Sequence, residues 1–112
     1  MTKTTFYRKV LEHLCVIAAE ENPEPTDIRV ISDRYVSLYD MLRTEELVSW
    51  ALAEDIPDNL EIPLVMLMAA VTAREFGIDP TPYQANFQPT MVMLRRQLAK
   101  KYVSRRHRAE YF

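Results

Sequence analysis

Glycine is almost missing from this chain: Gly77 is the only one among 112 residues. Tight β-hairpin turns need positive φ, which glycine supplies without strain, so a hairpin-rich β protein is excluded. The same scarcity excludes a glycine-rich phosphate loop, and with it Walker-type and Rossmann-type nucleotide sites. Cysteine is equally rare. Cys15 stands alone, so no intramolecular disulfide can form, which suits a reducing compartment. The longest apolar run, Leu64 to Val71, falls far below the ~20 residues that span a bilayer. Met1-Thr2-Lys3-Thr4-Thr5 leads into Phe6 and then Arg8 and Lys9, without the apolar region of a signal peptide. A soluble, intracellular chain with no membrane partner is the expectation.

What is present points to one helical domain. The chain is 48% hydrophobic and 27% charged, a globular balance, and its length suits a single modest core. The organising stretch is Asp55 to Gly77, where no charge falls between Glu61 and Arg74. A helix that is apolar on nearly all sides belongs inside a bundle. Asp58 or Asn59 is placed to cap it, Glu61 suits its positive end, and Pro63 is tolerable only near its start. Gly77 lies where a left-handed residue would close it.

Three further helices are expected around that one. Phe6, Val10, Leu14 and Ile17 recur at helical spacing, so a first helix runs from a Thr4 or Thr5 cap to about Glu20. Asn22-Pro23-Glu24-Pro25 breaks the chain, and Thr26 or Asp27 caps a second helix to about Arg43. Its stripe is Ile28, Ile31, Tyr35, Leu38 and Leu42. Thr44 to Asp58 fits neither period; Leu47 to Leu52 reads as a last helical turn or a short extended piece, and Trp50 as filler between the second helix and the central one. After Pro80 and Pro82, Tyr83, Phe87, Met91, Leu94, Leu98 and Tyr102 mark a last helix. Pro89 implies either a kink or a start near Gln88. The fold class is therefore all-α: a small four-helix bundle over 1–102, with a basic C-terminal extension over 103–112 where helical periodicity is lost.

Candidates for chemistry are few. His13 and Cys15, two residues apart on a helix, point to different sides, so packing for Cys15 and solvent exposure for His13 are expected. Asp55, Asp58 and Glu61 lack the glycine and dense oxygen spacing of a calcium loop and read as an acidic helix start. Met66, Met68, Met91 and Met93 read as adaptable packing. With only His13 and His107, no nucleophile–base pair or metal spacing can be assembled, so no catalytic residue, metal or cofactor is expected.

Charge is unevenly placed. Residues 20–61 carry twelve Asp or Glu against three Arg, whereas residues 95–112 carry seven Lys or Arg against Glu110 alone. That split fits an acidic body with a nucleic-acid-binding end, head-to-tail association of copies, or two solvated surfaces without a partner. The last ten residues combine Arg105, Arg106 and Arg108 with Tyr111 and Phe112, a composition typical of binding hot spots.

Taken over nearly the whole chain, the pattern resembles the head-to-tail adaptor proteins of short-tailed phages, also called tail accessory factors or packaged-DNA stabilisation proteins. The resemblance rests on the helix Phe6 to Ile17, and on Tyr35, Leu38, Met41 and Leu42 in the second helix. It continues with Trp50 ahead of Asp-Ile-Pro-Asp at 55–58, and with the helix from Ile62-Pro63-Leu64 to Ala73 closing at Phe76-Gly77. Leu94 and Leu98 in the last helix and the arginine-rich extension complete it; Pro89 departs from the uninterrupted helix expected there. The resemblance implies a structural protein of the virion head–tail junction, made in the host cytoplasm. It would form a ring with neighbouring copies, typically of twelve, beneath the portal protein. The ring would extend the channel, help retain packaged DNA as cargo and receive a downstream tail component. Val103 to Phe112 would be the portal-binding extension, with Arg105, Arg106, Arg108, Tyr111 and Phe112 as its contact residues. The alternative reading is a small helical nucleic-acid-binding regulator using Arg95, Arg96, Lys100, Lys101 and Arg105 to Arg108 on phosphates.

Overall fold

In a computed structural model the chain is helical throughout its regular structure. The structure describes the backbone of residues 1–19 and 21–110 and the side chains of residues 1–19 and 21–99. Helices α1 (Lys3–His13), α2 (Pro25–Thr44), α3 (Glu61–Thr72), α4 (Thr81–Ala85) and α5 (Phe87–Glu110) follow one another, with short 3-10 turns at Asp58–Leu60 and Ala73–Phe76. The four-helix expectation holds for α1, α2, α3 and α5, with α4 as a short addition.

The central role of α3 follows from its composition. Leu64, Leu67, Met68 and Ala69 are fully buried, and α3 packs against α1, α2, α4 and α5. Each buried Leu or Met contributes about 1.5–3 kcal/mol relative to exposure. The cover comes from the predicted stripes: Phe6, Val10 and Leu11 of α1; Ile31, Tyr35, Leu38 and Leu42 of α2; Met91 and Leu94 of α5. Pro63 falls in the first turn, where its missing N–H is harmless. Thr72, fully buried, donates its hydroxyl to the Met68 carbonyl at 2.6 Å.

Helix ends depart from the expected caps in instructive ways. At α1 the cap is Thr2, whose side chain accepts from the Thr5 N–H at 3.2 Å, rather than Thr4 or Thr5. Glu24 precedes α2 in extended conformation without a side-chain cap, and Pro25 occupies the first helical position, where its fixed φ is already suitable. Neither Asp58 nor Asn59 caps α3; the Asp58 carboxylate instead accepts from the Met1 ammonium.

The first helix stops at His13, well short of Glu20. Leu14 is its last right-handed residue, Cys15 turns left-handed at φ 60, and the Cys15 and Val16 N–H groups bond back to the Glu12 and Leu11 carbonyls. That is a Schellman ending. It turns Cys15 out to solvent instead of into the core, while Leu14 and Ile17 stay buried. The same ending closes α2 with Glu46 at φ 60, and closes the 3-10 turn after α3 with Gly77 at φ 70. Only the last uses glycine.

Glu45 to Pro57 is neither helix nor strand; Leu47, Trp50 and Ile56 fasten it by burial. Trp50 packs edge-on to Tyr39 and donates its indole N–H to the Tyr35 hydroxyl at 3.0 Å. Tyr39 in turn donates to the Trp50 carbonyl at 2.6 Å. The expected last helix divides at Asn86: α4 ends there and α5 begins at Phe87, so Pro89 sits in a first turn and no kink is needed. α5 then continues past Tyr102 to Glu110. Arg and Ala are strong helix formers, and no Gly or Pro follows Pro89 to stop it, so loss of the apolar stripe does not end the helix.

Candidate functional site

The predicted contact residues fall at the far end of α5. Arg105, Arg106 and Arg108 belong to its backbone, but their side chains lie outside the described residues, as do Tyr111 and Phe112 altogether. At 24 residues α5 is about 36 Å long, more than the two shorter dimensions of the 52 × 27 × 25 Å molecule. Its core contacts come early: Phe87, Met91, Leu94 and Leu98 are its residues in or against the apolar core among the described side chains. The anchored half therefore presents a second half rich in basic residues: Lys100, Lys101, Arg105, Arg106 and Arg108 against Glu110.

Nearer the body, Arg95 Nη2 reaches Glu45 Oε2 at 3.3 Å, joining α5 to the end of α2. Both side chains are half exposed, so the pair contributes at most about 1 kcal/mol. Glu45, Glu46, Glu54, Asp55 and Asp58 are exposed along the irregular segment after α2. The Met1 ammonium, by its hydrogen bond and its charge, holds the Asp58 carboxyl below the usual carboxylate range. Asp79 is lowered likewise by the Thr81 N–H and hydroxyl, at 3.0 and 2.8 Å. Burial pushes the Tyr35 phenol upward, against the lowering effect of the Trp50 hydrogen bond.

The sequence candidates for chemistry are not brought together. His13 is exposed, with its ring 5.9 Å from that of Tyr83, and Cys15 faces solvent on the following turn. Asp58 and Glu61 are engaged separately, by Met1 and by Lys9. Among the described residues no three His, Cys, Asp or Glu side chains are placed to hold a metal ion.

What sequence reasoning missed is a pair of open grooves that leave parts of α3 uncovered. One, of about 540 Å³, has Ala70, Val71 and Phe87 in its walls with Arg34, Arg74 and Glu75 at its edge; it runs on past Val71 toward Leu38 and Met41 of α2. The other, of about 490 Å³, is lined by Ile62, Val65 and Met66 between Lys9, Glu12, His13 and Glu61, with Ile62 the exposed apolar residue among them. An all-apolar helix gives no sequence signal for which of its faces will stay open. No protein-family model, curated protein or solved structure matches this chain.

Proposed function

We propose that the protein is a structural ring subunit of the phage head-to-tail adaptor type, with no chemistry of its own. The observation that carries the reading is α5, a single helix fixed to the core by its first half and bearing Arg105, Arg106 and Arg108 on its second. In this reading the second half, with Arg105, Arg106, Arg108, Tyr111 and Phe112, reaches the portal protein, while the body contacts neighbouring copies around the channel. The exposed carboxylates of residues 45–58 suit a body that must not adhere to passing DNA, because like charge repels phosphate at short range. The far side of the ring would receive the next tail component at the head–tail junction of the virion.

The test compares the full chain with a version ending at Tyr102 for binding to isolated portal particles. Loss of binding in the shortened chain is expected; undiminished binding sinks the proposal. A gel shift on duplex DNA separates it from the nucleic-acid-binding reading, which the basic half of α5 also suits. Tight binding that weakens steeply with salt would favour that alternative.

A further inference from the structure

The central helix reaches the surface at two places on opposite sides of the molecule. Ile62 is 66% exposed and Val71 is 37% exposed, although every apolar neighbour between them except Met66 is buried. Nine residues separate them, which is two and a half turns, so their side chains leave α3 about 180° apart. Each stands in one of the two grooves, and the charges left over at the two edges have opposite sign. At the Val71 groove, Arg34 is paired with Glu75, but Arg74 is exposed and has no ion-pair partner among the described residues. At the Ile62 groove, Lys9 is paired with Glu61, and Glu12 keeps only a loose 3.8 Å contact with Arg8.

We infer that these two grooves are the two halves of one contact between copies of this chain. The Val71 groove of one copy meets the Ile62 face of the next, with Arg74 set against Glu12. This deepens the ring reading and rests on it. Two different patches on opposite sides cannot satisfy each other in a two-fold dimer; they pass the contact from copy to copy, and close a ring when the rotation permits. The open apolar positions supply the area and the leftover charges fix which groove meets which. No other apolar side chain of α3 is as exposed as these two.

The experiment measures self-association of the protein alone by sedimentation, up to about 1 mM, a concentration that detects contacts with a Kd as weak as about 1 mM. The wild-type chain is expected to form species larger than a dimer. Ile62→Glu and Val71→Glu, both at exposed positions, each weaken association at least about tenfold, while circular dichroism shows both still folded. Mixing the two variants is the decisive step. Each retains one intact groove, so together they form a one-to-one pair and grow no further. Glu12→Arg and Arg74→Glu each weaken association, and the two changes in one chain restore it. A wild-type chain that remains monomeric, single variants that associate like wild type, or a mixture that does not pair would overturn the inference. Portal binding is read separately, because each variant keeps α5 intact. Portal binding without pairing through the grooves removes this inference alone; pairing without portal binding removes the adaptor reading.

Discussion

Three helix ends close with the same left-handed residue, and only one of the three is glycine. At Cys15 and Glu46 the backbone takes φ 60, where a Cβ crowds the following carbonyl and costs about 1–2 kcal/mol. Both side chains are exposed, so little is lost by removing them. Glycine adds back about 0.5–1 kcal/mol of unfolded-chain entropy. Cys15→Gly and Glu46→Gly should therefore each stabilise the fold by about 0.5–1 kcal/mol, and by roughly the sum together, because they serve different helix ends. In urea unfolding the midpoint should rise with an unchanged slope. In heat, each kcal/mol should raise Tm by about 4–8 °C, slightly less for a chain of this length. Gly77→Ala supplies the control. A Cβ built there meets nothing within 4 Å, so its cost isolates backbone strain and should be about 1 kcal/mol. A lowered midpoint for either glycine variant, beside a costly Gly77→Ala, would refute the argument, because the side chain would then contribute more than its backbone costs.

Other expectations follow from the core and its polar pins. Leu67→Ala, fully buried at the centre of α3, should cost about 2–5 kcal/mol in urea unfolding. Tyr39→Phe leaves the Trp50 carbonyl without its 2.6 Å donor and should cost about 1–3 kcal/mol, with tryptophan fluorescence reporting a loosened segment before global unfolding. Asp79 has its pKa lowered from 3.8 in the folded state, so its contribution is present above that value and is lost as pH falls through the folded value. Asp79→Ala should therefore be less stable than wild type at neutral pH and converge with it in acid, as read by thermal melts across pH.

The helical class and the centrality of α3 were legible because burial of an apolar helix needs nothing beyond its own pattern. The stripe residues Phe6, Val10, Ile31, Leu38, Leu42, Met91 and Leu94 are all in the core. The helix ends were harder to read. Nothing in Cys15 or Glu46 signals a left-handed residue, because the fold imposes that conformation against local preference. Ile17 kept its apolar position while leaving the helix, so spacing alone extended α1 too far. The caps failed for a related reason. Several Thr and Asp side chains competed for each start, and at Asp58 a distant ammonium outcompeted the nearby helix N–H groups. The two grooves were invisible because an all-apolar helix hides which of its faces will lack a neighbour. The basic end was visible as composition but not as helix, since charged residues without a stripe can be helical or not.

Because α5 is unbroken from Phe87 to Glu110, its anchored half and its arginine-bearing half share one rotational phase. The bearing of any point beyond Leu98 about the helix axis is fixed by residue count. Inserting one residue after Ala99 would swing everything downstream by about 100° while lengthening the helix by only ~1.5 Å. Inserting seven residues would nearly restore the bearing and add about 10 Å. Reach and aim can thus be altered independently, so the α5 end behaves as an adjustable pointer whose direction is set far away, where Met91 and Leu94 grip the core.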